Sequence, residues 1–159
     1  MANLTIISVG TLKEDFLKDA VSEYKKKLSQ YARVDEINIK EELIRDEESG
    51  SEITRALDCE GEKILSAVPR GAKLIALCVE GKQYDSPDLA RIIGGFNDEC
   101  GKIALVIGSS HGLSEKVKRA ADLRLSVSKM TFPHQLMRVL LLEGVYRCMN
   151  IIKGTKYHK

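Results

Sequence analysis

The sequence predicts an α/β fold, a three-layer sandwich with a mainly parallel sheet, and two observations carry that prediction. Five short apolar segments alternate with amphipathic stretches along the chain, the pattern of strands joined by crossover helices. Two of them, Leu74 to Val79 and Ile103 to Ile107, are nearly unbroken aliphatic runs. Strands covered by helices on both faces read that way, whereas half-exposed strands alternate.

The elements follow in order. Leu4 to Val9 is the first strand. Asp15 to Tyr31 is a helix, with Phe16, Leu17, Ala20, Val21, Tyr24 and Leu28 along one stripe. Val34 to Ile39 is the second strand, and the acidic stretch from Lys40 to Gly50 is expected to be a mobile loop. A helix from about Ser51 to Val68 carries Ile53, Ala56, Leu57, Ile64, Leu65 and Val68 inward, weakened in its middle by Gly61. After the third strand, Ser86 suits the N-cap and Pro87 the first position of another helix. The fourth strand leads to a short helix after Ser114, where Glu115 favours the positive helix start. Leu123 to Val127 is a weaker fifth strand.

The last helix, from Pro133 to about Ile152, is apolar around more than one face (Leu136, Val139, Leu140, Leu141, Leu142, Val145, Met149). A helix of that kind needs cover on two sides, and a second copy of the chain is the expected second cover. Gly144 costs about 1 kcal/mol relative to Ala within a helix, which suits close packing against a neighbour.

A chain of 159 residues fits a single domain over 1–159 whose core needs neither disulfide nor metal. No apolar run approaches the roughly 20 residues that span a bilayer, and the start lacks the blocks of a signal peptide. A cytoplasmic protein without membrane partners is expected. Cys59, Cys78, Cys100 and Cys148 form no C-x-x-C pair and read as reduced, mostly buried thiols, with no metal site. The net charge of +2 decides little, but its distribution is uneven. Glu41 to Glu60 is acid-rich, whereas from Arg119 onward the cations face only Asp122 and Glu143. A basic C-terminal third fits a phosphate-bearing partner, and equally a solvated helix surface.

Three segments fall where an α/β sheet binds ligands, beyond the carboxyl ends of strands: Glu80-Gly81-Lys82, Gly108 to Gly112, and Ser126 to His134. Gly108-Ser109-Ser110-His111-Gly112 is neither a P-loop nor a dinucleotide turn. It does match the G-x-S-x-G nucleophile elbow, which would make Ser110 a nucleophile with Asp122 and His134 or His158. Too little chain surrounds it for the usual hydrolase architecture. His134, at a helix start, suits a ligand hydrogen bond or a structural tether. His111 reads as an exposed turn residue.

The segment LSVSKMTFPHQLMRVLLLEGVYRCMNIIKGTKYHK, from Leu125 to Lys159, closely resembles the C-terminal signature of the SPOUT-class 23S ribosomal RNA pseudouridine-N3 methyltransferases. Leu105-Val106-Ile107-Gly108 and CVEGKQYDSPDLA match in place, so the likeness spans essentially the whole chain. It implies an α/β knot, in which the last segment threads a loop of the C-terminal half, in contrast to the general rule against knots. It also implies S-adenosylmethionine as cofactor, held by Leu77, Gly108, Val127, Ser128, Lys129, Met130, Thr131 and Phe132. The family acts as a homodimer on 23S rRNA within the ribosome.

The implied reaction removes a proton from N3 of a pseudouridine, which then displaces the sulfonium methyl, so orientation contributes much of the rate. A positive environment stabilises the forming anion. Arg138, Tyr157 and His158 are the catalytic candidates; His134, Arg138, Tyr157, His158 and Lys159 are the candidates for holding RNA. Two departures stand out: Ser109 replaces a second glycine after Gly108, and Gly144 a longer polar residue. The alternatives are a SPOUT enzyme of other specificity, such as tRNA ribose 2′-O-methylation, and a non-catalytic ribosome-binding protein.

Overall fold

The computed structural model of the chain describes residues 1–157, so the expectations placed on His158 and Lys159 lie outside the described residues. Five strands, β1 (Ala2–Val9), β2 (Ala32–Ile39), β3 (Lys73–Lys82), β4 (Lys102–Ile107) and β5 (Leu123–Leu125), form one sheet in the order β2-β1-β4-β3-β5. Every neighbouring pair is parallel. Helices α1 (Asp15–Leu28), α3 (Ser86–Cys100) and α5 (His134–Ile152) cover one face, and α2 (Gly50–Ala67) and α4 (Glu115–Ala120) the other.

This arrangement explains the aliphatic runs. Alternate residues of a strand point to opposite faces. Leu4 and Ile6 of β1 join Ile103, Leu105 and Ile107 of β4 in the core beneath α1, α3 and α5. Ile7 and Val9 join Ala104 and Val106 in the core beneath α2 and α4. Both faces are covered along β4; β1 buries Thr5 and Ser8 among its apolar residues, and β3 leaves the covered layers at Val79, which is 77% exposed.

Several boundaries differ from expectation for local reasons. Asp85, not Ser86, caps α3: its carboxylate accepts from the Asp88 amide at 2.8 Å. β5 stops at Leu125, because the Ser126 amide turns to the Lys82 carbonyl at 3.0 Å. The acidic stretch after β2, expected to be mobile, is anchored by α2. Glu60 accepts from the Glu42 amide at 2.9 Å, and Glu52 from the Arg45 and Asp46 amides at 2.7 and 3.2 Å. Only Cys148 is buried; the other three cysteines are half-buried, so the thiols are less enclosed than expected. Gly61 is a point of close approach, since a Cβ there would collide with Ser114 at the cap of α4.

α5 lies between α1 and α3 with Leu141, Leu142, Val145, Cys148 and Met149 buried. Leu136, Val139 and Leu140 are only half covered. A Cβ on Gly144 would meet nothing within 4 Å, so the close packing expected of this glycine is not supplied within the chain. No helix among the described residues is long and apolar enough to cross a membrane.

Candidate cofactor site

A parallel sheet gathers the loops that leave its strands at one edge. Here the loops after β3, β4 and β5, with the first turn of α5, enclose a cavity of about 750 Å³. The β4 loop turns back on itself: the Gly112 amide donates to the Ser109 carbonyl at 2.9 Å, and Gly112 has a φ of +89°. Gly108 is required by contact rather than by φ, because a Cβ there would lie 2.5 Å from the Gly112 carbonyl carbon. Ser109 is buried, and its hydroxyl accepts from the His111 amide at 3.3 Å, so this departure ties the loop to itself.

The β5 loop forms the opposite wall. The Ser126 hydroxyl donates to the Ser128 carbonyl at 3.1 Å, and the Ser128 hydroxyl accepts from the Met130 amide at 2.9 Å. Val127, Ser128, Met130, Thr131 and Phe132 line the cavity with Leu77, Gly108 and His134; Lys129 is not among the lining residues. Met130 is 70% exposed, leaving an apolar, uncovered lip on the mouth.

The β3 loop reaches both walls. A Cβ on Gly81 would lie 2.8 Å from the Ser126 nitrogen, so glycine lets β3 lean on the start of the β5 loop. Glu80 and Lys118 line the cavity as an ion pair, and Lys118 also meets Glu115 at 3.3 Å. The bond from Lys118 holds the Glu80 carboxyl below its usual range. Burial pulls the Lys118 ammonium down, but Glu80 and Glu115 outweigh it and the net shift is upward.

The elbow reading fails on geometry. Asp122 accepts from the Leu74 amide at 2.8 Å and pairs with Lys73 at the amino end of β3, at the edge of the sheet opposite the cavity. His111 meets Glu47 at 2.6 Å and Ser110 at 3.4 Å, a contact within the turn itself.

The remaining candidates are not all brought together. Arg138 does not line the cofactor cavity. It is 5% exposed and donates to the carbonyls of Gly10 (2.6 Å) and Val9 (3.3 Å) and to Asn38 Oδ1 (3.2 Å). Burial lowers its pKa, with Glu36 opposing. Tyr157 lies against α5 instead. Its hydroxyl donates to Glu143 at 3.1 Å, its ring meets Tyr146 edge-on at 4.8 Å, and the Arg147 guanidinium covers that ring at 4.8 Å. Arg147 also donates from Nε to Glu143 at 3.0 Å. Sequence reasoning missed Glu143 and Arg147. Their signal was an acid and a base four residues apart in the mostly apolar second half of a helix, a spacing that brings side chains together.

The sheet order and the three strand-end loops place the protein in the SPOUT methyltransferase class: residues 2–158 match the family described as "Predicted SPOUT methyltransferase". The fold is shared with "Probable Methyltransferase from Bordetella pertussis Tohama I", at 13% identity and a TM-score of 0.56 over 93% of this chain and 96% of that one. It is shared too with the SpoU methyltransferase AviRb of Streptomyces viridochromogenes solved with the cofactor AdoMet, at 11% identity and a TM-score of 0.50, over 98% of this chain and 60% of that one. The sequence is 48% identical to Ribosomal RNA large subunit methyltransferase H of Caldicellulosiruptor bescii, over 98% of this chain and 99% of that protein. It is 44% identical to the protein of the same name from Bacillus pumilus, over 99% of each. The chain belongs to the ribosomal RNA large subunit methyltransferase H family of SPOUT methyltransferases.

Proposed function

We propose that the protein transfers a methyl group from S-adenosylmethionine to N3 of a pseudouridine in 23S ribosomal RNA, on assembled ribosomes, as a cytoplasmic homodimer in which residues 1–159 form one domain. The observation that carries this reading is the cavity walled by Ser126 to Pro133 and Gly108 to Gly112. Curated relatives over nearly the full length are named ribosomal RNA large subunit methyltransferases, and a protein of the same fold binds AdoMet.

The residues present fit that cofactor. The cavity, about 750 Å³, falls within the range of small-molecule sites. Its walls combine apolar side chains (Leu77, Leu125, Phe132, Met137) with serine and threonine hydroxyls and backbone. The charge of Lys118 is engaged by Glu80 and Glu115, so it does not stand free against a cationic ligand. Bound there, S-adenosylmethionine supplies a methyl group on a positively charged sulfur. The loops from Gly108 and Val127 hold and orient it. Tyr157, His158 and Lys159 stabilise the developing N3 anion, with Arg147 beside Tyr157. Burial, with the bond to Glu143, raises the Tyr157 pKa, so its phenol stays protonated near neutral pH.

The position of Tyr157 supports a dimer. Its partner Glu143 lies nine residues along α5 from His134, about 14 Å at the rise of a helix. A second copy with α5 running antiparallel across the open face around Gly144 brings each tail to the other's cofactor cavity. The same contact covers Leu136, Val139 and Leu140.

Incubation with labelled S-adenosylmethionine and ribosomes, free rRNA or tRNA, followed by mapping of the modified nucleotide, tests the reading. Label on a 23S rRNA pseudouridine in ribosomes is expected. Label on tRNA alone overturns the substrate, and cofactor binding without transfer to any RNA points to a binding protein.

A further inference from the structure

A second cavity, of about 340 Å³, opens beside the first at the same edge of the sheet. It lies where α1 and the start of α5 meet the carboxyl ends of β1 and β2, and its charged lining is Lys18, Lys25, Glu36 and Arg138. Arg138 separates the two sites along α5: His134 and Met137 line the cofactor cavity, and the next residue lines this one.

Three cationic side chains and one carboxylate line the cavity. Glu36 is occupied by Lys25 at 2.8 Å. Among the described residues Lys18 reaches only Asp15, at 3.6 Å, and that carboxylate is 95% exposed, so screening by water leaves the pair weak. Arg138 is the telling residue. It is nineteen-twentieths buried, its three hydrogen bonds go to two carbonyls and an amide, all uncharged, and its Nε has no partner among the described residues. A guanidinium loses its proton with great difficulty, so it remains cationic here. A buried cation with no anion in hydrogen-bond contact is costly. Glu36, in the same cavity and opposing that cost from a distance, is taken up by Lys25, and the cavity is open to a further anion.

We infer that this cavity is an anion subsite that takes a phosphate of the RNA backbone next to the target nucleotide, with Arg138 and Lys18 as its cations and Ser22 as a neutral donor. The assignment rests on the RNA methyltransferase reading. Phosphate is favoured over a small anionic metabolite because the cavity shares an edge with the cofactor site and lies one residue along α5 from it. A substrate strand entering the first cavity therefore carries its backbone past the second. Fixing a phosphate there sets the register of the strand without reading its sequence.

The test uses the full-length protein and 50S ribosomal subunits. Lys18→Gln and Lys18→Glu alter an exposed side chain and leave the fold intact; Ser22→Asp places a carboxylate at the cavity. Affinity for the subunits is measured over a range of salt, alongside calorimetric affinity for S-adenosylmethionine and the sedimentation mass. The expected result for Lys18→Gln is a plot of log K against log salt flattened by about 0.7 to 0.9, the loss of one phosphate contact. Lys18→Glu and Ser22→Asp should bind the subunits at least about ten-fold more weakly at low ionic strength, with cofactor affinity and mass unchanged. Wild-type affinity and slope in all three variants would overturn the subsite while leaving the methyltransferase reading in place. A shift toward monomer would instead assign the cavity to a carboxylate of a second copy, and would overturn it too. Failure of the wild-type protein to bind the subunits would overturn both readings.

Discussion

Replacing Gly108 by Ala tests the cofactor cavity most directly. The added Cβ would stand 2.5 Å from the Gly112 carbonyl carbon and 3.0 Å from Leu113 Cδ2, where ordinary contact begins at 3.4 Å. The turn must therefore open by at least about 0.9 Å, the difference between 2.5 and 3.4 Å, since the Gly112 carbonyl oxygen lies closer still. That movement stretches the 2.9 Å bond from the Gly112 amide to the Ser109 carbonyl past useful length. Overpacking of this kind costs about 1–3 kcal/mol of stability. Displacing one backbone group that holds the ligand costs about 1.4 kcal/mol more in binding, or about ten-fold in affinity. Thermal denaturation and calorimetric titration with S-adenosylmethionine measure the two effects separately. Gly95→Ala is the control, since a Cβ there meets nothing within 4 Å. If Gly108→Ala binds the cofactor within two-fold of wild type, the β4 loop does not hold it and the site is misplaced.

Deleting residues 157–159 should leave the melting temperature and cofactor affinity nearly unchanged while lowering methyl transfer to ribosomes by at least about 10²-fold, the scale of a positioned catalytic group; an active truncated enzyme refutes a role for the tail. Gly144→Leu has room within one chain, so it should fold normally but weaken self-association in sedimentation equilibrium, and an unchanged dimer counts against the proposed interface. Glu60 is 2% exposed, and burial raises its pKa; the bond from the Glu42 amide opposes the shift, the Glu41 and Glu42 charges add to it, and the net direction is upward. The unfolded chain thus releases this proton at lower pH than the folded one. Stability falls as pH rises from the unfolded value through the folded one. Glu60→Gln keeps the acceptor for the Glu42 amide and should remove that fall, giving a higher melting temperature at pH 8 than wild type; an unchanged or lower one refutes the argument.

The sandwich was legible because β3 and β4 lack alternation, a property that only two covered faces produce. The strand order was not: nothing in β1 itself says that it pairs with β2 on one side and with β4, almost 100 residues away, on the other. The β5 loop was legible from its family signature: of the run Val127 to Phe132, every residue but Lys129 lines the cavity. Arg138 illustrates what a one-dimensional reading loses. Its place in the first turns of α5 suggested a catalytic cation, but helical geometry turns it from the cofactor cavity toward the β1 and β2 ends. Glu143 and Arg147 were overlooked because the apolar residues around them drew attention to the face of α5 rather than to a pair crossing it.

The place of β1 between β2 and β4 has a consequence for how the protein is made. Of the five strands β1 is made before the others, yet its partner strand β4 begins only at Lys102, and the guanidinium that binds the Val9 and Gly10 carbonyls belongs to residue 138. At about 5–20 residues per second, the intervening stretch of roughly 100 residues takes on the order of 5 to 20 s to synthesise. Until then β1 can pair only with β2, and Leu4, Ile6, Ile7 and Val9 wait with one edge open. Such long-range parallel pairing is slow to form and prone to aggregation while incomplete. Biosynthesis of this chain therefore passes through a late closure in which the middle of its sheet is assembled after its flank, and chaperone demand should peak before β4 emerges.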